Sequence, residues 1–425
     1  MSSSLEMTDI RIGFVPLADA APIIMAKECG IFEKHGLNVT LEKVSSWARM
    51  RDLLAIGDLQ VAHMLAPMVI ASVMGLEPNT PPFTTAMALN MNGNAITISN
   101  ALYAAMYQSN PEAMKERPIT GRALRDVVAA RITSGQKPLT FAMVYPFSSH
   151  NYQLRYWLAA AGLHPDRDVN LVVVPPPKVM DYMKAGIIDG YCVGEPWNSE
   201  AVDQGVGTTL ITSHELMGLA PEKVLGVCQS WADDHPKTYR AILSAVLETS
   251  RWLENRNSLE EAASIMSLTH YVGLPAKRIV SALTGARRQT TGDFIQDMPD
   301  FNVFYRYAAN FPWRSHASWF MTQMYRWGQV SSPYNFQEVI EQAYRSDIFR
   351  EVAKAGGHIF PTIDMKNEGE KTYPWVLLDA SSPIALGANQ SIDNRVFRHS
   401  DPIAYMEGFQ RHSLRLPLSE LAQLN

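Results

Sequence analysis

The sequence predicts an α/β protein built as two lobes. A strand–helix alternation runs from Ile10 to Ser99, and it resumes after a polar, helix-like stretch at Ser109–Gly135. Strands and helices that alternate in this way form a mostly parallel sheet with helices on both faces. The length of 425 residues also exceeds what one hydrophobic core usually supports, which favours two lobes.

The first alternation begins with Ile10–Pro16 (IRIGFVP), a compact apolar strand. Ala20–Glu33 predicts a helix that ends before Gly36, and NVTLEKV predicts the next strand. Trp47–Gly57 predicts a second helix, and VAHML predicts a third strand with a helix after it. The β-branched segment NAITIS, at Asn94–Ser99, predicts a further strand.

The second alternation contains the strands LTFAMVY, VNLVVVPP and GYCVG, with helices at His150–Ala161 and around Val179–Gly186. The chain then returns to the first lobe through the strand VLGVCQ. We therefore assign residues 8–100 to the first lobe and residues 101–222 to the second. Residues 223–425 are predicted to complete the first lobe and to add a helical, then loop-rich, C-terminal region.

The composition excludes several classes of protein. A hydrophobic content of 47% with 19% charged residues is typical of a packed globular chain. A net charge of -5 gives no general attraction to nucleic acid or to anionic membranes. The three cysteines, Cys29, Cys192 and Cys228, form no CxxC pair, so we expect no metal site, and we expect no cofactor.

The start of the chain lacks the basic and apolar segments of an export signal. The longest apolar stretch, Val61–Leu76, contains His63 and Pro67 and is shorter than the roughly 20 residues of a membrane helix. From these two observations we expect a cytoplasmic protein that does not enter the membrane.

Sequence motifs for catalysis are absent. The chain has no Walker A loop, no GxSxG and no HExxH. Cys192 together with His150 could supply a thiol nucleophile, but a cysteine inside an apolar strand more often packs in the core. We therefore expect that the protein is not an enzyme.

Two segments predict a site for a small anion. Phe141–Trp157 (FAMVYPFSSHNYQLRYW) and Val193–Asn198 (VGEPWN) each pass from a predicted strand into a predicted helix. Backbone N–H groups at helix N-termini attract anions. Ser148 or Ser149 is suited to cap the first of these helices, which would place His150 in its first turn.

Each candidate side chain also has a purely structural interpretation. Trp47 could be core packing, Asn94 could form a turn with its own backbone, and a lone histidine such as His150 is usually structural. Most lysines are solvated, so Lys223 alone carries little weight. Glu195 is unfavourable beside an anion and should either pair with a cation, such as Lys223, or face away.

The order of the motifs resembles one known family. GFVPLADAAPIIMAKE, SSWARMRD, AHMLAPM, NGNAIT, SSHNYQLRYWLAAAG, VVVPPP, GYCVGEPWN, PEKVLGV and FPWRSHA follow one another as they do in the NrtA/CmpA family of nitrate-binding and bicarbonate-binding proteins. The resemblance extends from about Ile10 to beyond Trp327. Within that family, the chain most resembles the cytoplasmic nitrate/nitrite sensors of the NasS type.

The resemblance implies a type II periplasmic-binding-protein fold, in which two α/β lobes close on a ligand in the cleft between them. It also implies that side chains and backbone groups of matching motifs hold the anion. These ligand-binding residues are Trp47, Asn94, His150, Val193, Gly194, Glu195 and Lys223, with the backbone acting at Val193, Gly194 and Glu195.

The resemblance further implies a function. A NasS-type sensor holds an ANTAR-domain, NasT-like RNA-binding antiterminator inactive until nitrate or nitrite binds, without itself binding nucleic acid. The alternative is the solute-binding component of an ABC-type nitrate or bicarbonate importer. Thiamine-pyrimidine synthases share the fold, but their cysteine-rich signature is missing from this sequence.

The residue types favour nitrate over bicarbonate. Nitrate has three acceptor oxygens and no proton, so its site should consist of donors and a cation. The resemblance implies an acidic residue at position 223 in bicarbonate-binding relatives, whereas this chain has Lys223. Asn94, shorter than the glutamine expected in some relatives, could leave room for water or nitrite. If His150 contacts the anion, binding should tighten as pH falls.

Overall fold

The computed structural model of the protein describes residues 4–287 and 296–424. Two five-stranded sheets each form the centre of one α/β lobe. In chain order, the described strands are β1 (Asp9–Phe14), β2 (Asn38–Lys43), β3 (Val61–Leu65), β4 (Phe83–Ala88), β5 (Met91–Asn92), β6 (Asn94–Ser99), β7 (Thr140–Met143), β8 (Asn170–Val173), β9 (Gly190–Gly194), β10 (Gly207–Thr212), β11 (Lys223–Cys228), β12 (Ala286–Arg287), β13 (Gln296–Asp297), β14 (Asn302–Val303), β15 (Trp375–Leu377) and β16 (Ile384–Leu386).

The helices surround these sheets. In chain order, the described α-helices are α1 (Ala21–Glu28), α2 (Ile31–Lys34), α3 (Trp47–Ala55), α4 (Ala66–Val73), α5 (Asn100–Ser109), α6 (Pro111–Lys115), α7 (Arg122–Thr133), α8 (Ser149–Ala160), α9 (Val179–Lys184), α10 (Trp197–Asp203), α11 (Ser213–Met217), α12 (Gln229–Asp234), α13 (Pro236–Trp252), α14 (Arg256–Met266), α15 (Ala276–Thr284), α16 (Arg314–Arg326), α17 (Phe336–Ala343), α18 (Ser346–Ala355), α19 (Pro402–Glu407) and α20 (Leu418–Ala422). Short 3-10 helices lie at Ala18–Ala20, Pro176–Lys178 and Arg306–Ala308.

The first sheet has the strand order β2-β1-β3-β11-β4. β1 is parallel to β2 and β3, as the alternation predicts, but β11 is antiparallel to both of its neighbours. The sheet is therefore mixed. The predicted parallel order fails here because β11 comes back from the other lobe, and its first residue, Lys223, lies beside Leu65 at the end of β3.

The second sheet has the strand order β10-β6-β9-β7-β8 and is also mixed, because β6 is antiparallel to β9 and β10. Of the ten strands in the two five-stranded sheets, β4 and β10 were not predicted from the sequence. β6 was assigned with residues 8–100 to the first lobe, but its hydrogen bonds place it in the second sheet. The crossing between the lobes therefore precedes Asn94, at Gly93, whose φ of 87° favours glycine.

One predicted helix is divided in two. The prediction of a single helix over Ala20–Glu33 is replaced by α1 and α2, which are separated by Cys29 and Gly30. Gly30 has a φ of 68°, a left-handed conformation that ends α1 and cannot continue a right-handed helix.

The C-terminal region contacts both lobes. Helix α16 is buried from Ser315 to Arg326 and packs against α4 of the first lobe and α8 of the second. Farther along, Arg411 Nε donates to Gly162 O at 3.1 Å. The end of the chain thus holds the second lobe against the rest of the molecule. Among the described residues, no helix is long and apolar enough to cross a membrane.

Replacing Gly190 with alanine should destabilise the second lobe. A Cβ at Gly190 would lie 2.8 Å from Phe141 Cε1 and 2.9 Å from Ile98 Cγ2, both parts of a packed core. Overpacking of this kind lowers the free energy of unfolding by about 1–3 kcal/mol. Gly226→Ala is the matched control, because its new Cβ meets chiefly the flexible Met64 side chain. Denaturant unfolding should show the larger loss for Gly190→Ala, and the reverse order would contradict this packing argument.

Candidate functional site

Four predicted site residues meet where the two sheets face each other. Trp47 is the first residue of α3, Asn94 begins β6, His150 lies in the first turn of α8, and Lys223 begins β11. All four side chains are buried. Because β1, β3, β7 and β9 end at this same boundary, the ligand cleft lies at the carboxyl edges of the parallel strands, as is usual in α/β proteins.

Local sequence fixes two of these positions. Ser46 caps α3 by accepting from Arg49 N at 3.3 Å, which places Trp47 at the helix start. Ser148 caps α8 by accepting from Asn151 N at 3.0 Å, as the sequence suggested. His150 therefore stands among the N–H groups of the first turn of α8.

Lys223 is the centre of the site. Its Nζ donates to Asp19 Oδ2 at 2.8 Å and to Glu222 Oε1, and all three side chains are buried. The ammonium also lies 5.6 Å from the centre of the Trp47 ring, within cation–π range. A buried ammonium requires compensating charge, so the prediction of a site made only of donors and a cation is wrong: two carboxylates belong to it.

Glu222 is held by donors on every side that the structure describes. Its carboxylate accepts from Asn94 Nδ2 at 2.5 Å, from Ser149 Oγ and from Lys223 Nζ. His150 Nε2 lies 3.8 Å from its Oε1. Burial raises the pKa of Glu222 above its ordinary value, and the Lys223 charge opposes that rise.

Asp19 joins the lysine to His63. Its Oδ1 lies 3.0 Å from His63 Nε2, while His63 Nδ1 is 3.4 Å from the Val15 N–H. An acceptor at Nδ1 leaves the proton on Nε2, so His63 is neutral and faces Asp19 with its N–H. Although burial raises the pKa of Asp19, the Lys223 charge and the hydrogen bond from His63 hold it well below its usual range.

Several buried polar atoms have no hydrogen-bond partner within the described protein. They include Trp47 Nε1, both ring nitrogens of His150 and Asn94 Oδ1. Beside the buried Lys223 ammonium, such unsatisfied groups are available to hydrogen-bond a ligand. Burial lowers the pKa of His150 well below 6.5, and the Lys223 charge lowers it further, so the ring is neutral near neutral pH.

That neutral ring changes one expectation from the sequence. Protonation of His150 was expected to tighten anion binding as pH falls. Because the pKa of His150 is lowered by burial, its charge does not change across the physiological pH range. Any change of affinity with pH in that range must come from another group.

Asn94 is placed differently from the prediction. Its Nδ2 donates to Gln153 Oε1 at 3.0 Å and to Glu222, so its unpartnered atom is the acceptor Oδ1. The space that we expected beside the short Asn94 side chain is occupied by the Gln153 amide and the Glu222 carboxylate. Asn94 therefore organises Glu222 more directly than it offers a donor to an anion.

The predicted backbone donors lie at the end of β9. Gly194 pairs with Asn94, and Val193 pairs with Ala95. The Glu195 N–H already donates to Gly93 O at 3.0 Å. The Glu195 carboxylate faces away from Lys223 and accepts from Ser199 N at 3.0 Å and Ser199 Oγ at 3.1 Å.

Sequence reasoning missed part of the site. The missed residues are Asp19, His63, Ser149 (considered only as a cap), Gln153 and Glu222. Two signals were available: His63 interrupts the apolar strand VAHML, and Glu222 directly precedes Lys223. The Asp19 contact joins residues 204 positions apart, and no local pattern reveals it.

Cys192 does not behave as a nucleophile. It is buried in β9, and burial raises the pKa of its thiol well above the ordinary value, with Glu222 adding to that rise. The thiol is therefore protonated and unreactive near neutral pH. Among the described residues, no group of three His, Cys, Asp or Glu side chains is arranged to hold a metal ion.

Two α/β lobes that enclose a buried polar cluster define the class of two-lobed solute-binding proteins with the type II periplasmic-binding-protein fold. Residues 3–267 match the NMT1-like family. The chain therefore belongs to the NMT1-like family, and within it to the NrtA-like proteins.

Sequence relatives support that assignment. The nitrate/nitrite binding protein NrtA of Nostoc sp. PCC 7120 is 34% identical over 358 residues, covering 83% of this chain and 78% of the relative. NrtA of Synechococcus elongatus is 32% identical over 96% of this chain and 88% of its own. The nitrate import ATP-binding protein NrtC of Synechocystis is 34% identical over 96% of this chain, which spans only 56% of that longer relative.

Solved structures support the same fold. The periplasmic nitrate-binding protein NrtA from Synechocystis PCC 6803 superposes with a TM-score of 0.83 and 28% identity, covering 96% of this chain and 100% of the other. The ligand-binding component of an ABC-type import system from Staphylococcus aureus gives a TM-score of 0.61 at 14% identity over 81% of this chain and 99% of the other. The second comparison bears on the fold alone.

Replacing Lys223 with methionine should destabilise the protein strongly near neutral pH. The change leaves Asp19 and Glu222 buried without their shared cation, and breaking a buried pair lowers the free energy of unfolding by about 3–5 kcal/mol. The loss should shrink as pH falls, because the carboxyls then become neutral. Lys366→Met is the control: that buried lysine faces the single carboxylate of Glu368. Equal losses in denaturant unfolding would contradict the argument.

Proposed function

We propose that the cleft binds a small oxyanion, nitrate or nitrite, and that the protein acts as the solute-binding component of an ABC-type importer. The observation that carries this proposal is the set of buried donors without protein partners, Trp47 Nε1 and the His150 ring, around the buried ammonium of Lys223. The names of the NrtA relatives, which bind nitrate or nitrite, support it.

The chemistry of the donors suits nitrate. Its three oxygens accept hydrogen bonds and it offers no proton in return. Trp47 supplies an N–H that cannot accept, the neutral His150 ring supplies one more, and Lys223 supplies charge. An anion that reaches this cluster would satisfy groups that the described protein leaves unpaired.

Bicarbonate is the competing ligand. Its O–H requires an acceptor, and Glu222 provides a carboxylate next to Lys223 that the sequence argument did not include. Relatives of the bicarbonate transport type are also similar to this chain: the ATP-binding protein CmpC of Synechocystis is 34% identical over 95% of it. Nitrate is favoured because three donors already occupy Glu222.

The sensor function remains a second proposal. It requires a cytoplasmic protein whose open form binds an ANTAR-domain antiterminator and whose closed, anion-bound form releases it. Only the motif resemblance supports it, and the relatives are named as binding proteins and importer components. Linkage gives the test: if nitrate weakens partner binding, a saturating NasT-like partner must weaken nitrate binding by the same factor.

Calorimetric titration of the full chain, dialysed free of nitrate, nitrite and bicarbonate, tests which anion the cleft binds. Nitrate and nitrite should bind with a measurable heat, and bicarbonate should bind more weakly. Binding of bicarbonate alone would overturn the nitrate proposal. The absence of heat from all three anions would overturn the oxyanion proposal as a whole.

Replacing Trp47 with phenylalanine should weaken nitrate binding by about tenfold to a hundredfold. The change keeps the ring but removes one N–H donor to a charged acceptor, and such a hydrogen bond contributes about 1.5–3 kcal/mol. Trp313→Phe is the matched control, since Trp313 is equally buried with an unpartnered Nε1 but packs with Phe311 in another part of the core. A calorimetric affinity that is unchanged in Trp47→Phe would remove Trp47 from the site.

A further inference from the structure

The charged groups around Lys223 already sum to a net negative charge, which opposes the binding of an anion. One ammonium faces two carboxylates, Asp19 and Glu222, and all three side chains are buried. The histidines add no charge: His63 Nδ1 accepts from the Val15 N–H, and burial together with the Lys223 charge lowers the pKa of His150 well below 6.5. With both carboxylates ionised the cluster carries one net negative charge, and a bound anion would make it two.

A second buried negative charge without compensation is very unfavourable. Charged groups in a desolvated site interact far more strongly than in water, and burial of unpaired charge is avoided by a change of protonation. The site must therefore gain a positive charge or neutralise a negative one when the anion enters. A proton from solvent does this without moving the backbone.

We propose that the cleft takes up one proton together with its anion, and that Glu222 is the group that holds it. This inference rests on the proposed anion-binding function and adds to it the coupled uptake of a proton.

Glu222 is ionised before the anion arrives. Lys223, Asn94 and Ser149 all donate to its two oxygens, and two of these donors, the Lys223 ammonium and the Asn94 amide nitrogen, cannot accept a carboxylic proton. Hydrogen bonds to the charged form favour that form. When an anion competes for the Lys223 N–H groups, this support weakens, and the carboxylate becomes the most basic group facing the anion.

The other titratable groups are poorer acceptors of the proton. Burial and the Lys223 charge keep the pKa values of His150 on α8 and of His63 on β3 below 6.5. Asp19, despite burial, is held well below its usual pKa by Lys223 and His63.

Cys192 on β9 and Lys223 are already protonated, since burial raises the pKa of the thiol and the two carboxylates raise that of the ammonium despite burial. Glu222 alone among these groups is a carboxyl whose pKa is raised, chiefly by burial. The proton therefore goes to Glu222.

The coupling is measured by calorimetric titration of the full chain with sodium nitrate in two buffers of different ionisation enthalpy at the same neutral pH. We expect an uptake of between about half a proton and one proton per nitrate bound, seen as a buffer-dependent heat. We also expect affinity to fall by about tenfold for each unit of pH above neutrality, since one proton is linked to each anion.

One variant and its matched control show whether Glu222 holds the proton. Glu222→Gln should abolish the buffer-dependent heat, flatten the pH dependence and bind nitrate more tightly than the unmodified chain at alkaline pH. Glu368→Gln is the matched control, because Glu368 is also a buried glutamate beside a lysine, Lys366, and a histidine, His316, outside the cleft. It should retain both the proton uptake and the pH dependence.

The outcomes separate this inference from the function on which it rests. Nitrate binding with no buffer-dependent heat overturns the proton coupling and leaves the proposed function standing. Proton uptake that persists in folded Glu222→Gln assigns the proton to another group and overturns the role of Glu222. The absence of nitrate and nitrite binding in the unmodified chain overturns both proposals. The two-buffer comparison needs no variant, so it stands even if Glu222→Gln fails to fold.

Discussion

The site depends on one buried ammonium. Lys223 lies between two lobes, away from water, and a charge in that position is tolerated only with partners close enough to replace its hydration. Asp19 supplies one partner and Glu222 the other. Because those carboxylates are themselves desolvated, they require further hydrogen-bond donors. His63 lies beside Asp19, and Asn94 and Ser149 donate to Glu222. The polar cluster as a whole thus compensates for the burial of the Lys223 charge.

The architecture places that cluster at the edges of the two sheets. In each sheet the parallel strands end at the cleft, and the antiparallel strand begins there: β11 with Lys223 in the first lobe, and β6 with Asn94 in the second. The helices α3 and α8 start at the same boundary, so their N-termini face the cluster. An anion would therefore contact both lobes, and closure of the lobes would be coupled to binding.

The buried carboxylates of Asp19 and Glu222 bear on how this cleft would select between anions. A lysine alone would attract any small anion, but a lysine shared by two carboxylates has much of its charge already compensated. Under the proposed function, selectivity depends on which protonation state the cluster adopts with each anion, and on whether that anion can donate as well as accept. Nitrate and bicarbonate differ in that respect, because nitrate only accepts hydrogen bonds whereas bicarbonate can also donate one.

The sequence by itself determined the α/β class and eight of the ten strands in the two five-stranded sheets, and the resemblance of its motifs to a known family pointed to four cleft side chains: Trp47, Asn94, His150 and Lys223. Local patterns carry the class and the strands, because apolar periodicity and helix caps act over a few residues. Tertiary structure decided the mixed strand order, the place of β6 in the second lobe, and the contact of Lys223 with a residue 204 positions away. It also decided the protonation of the cluster, because the pKa of a buried group depends on its surroundings in space, and these are assembled only when the lobes come together.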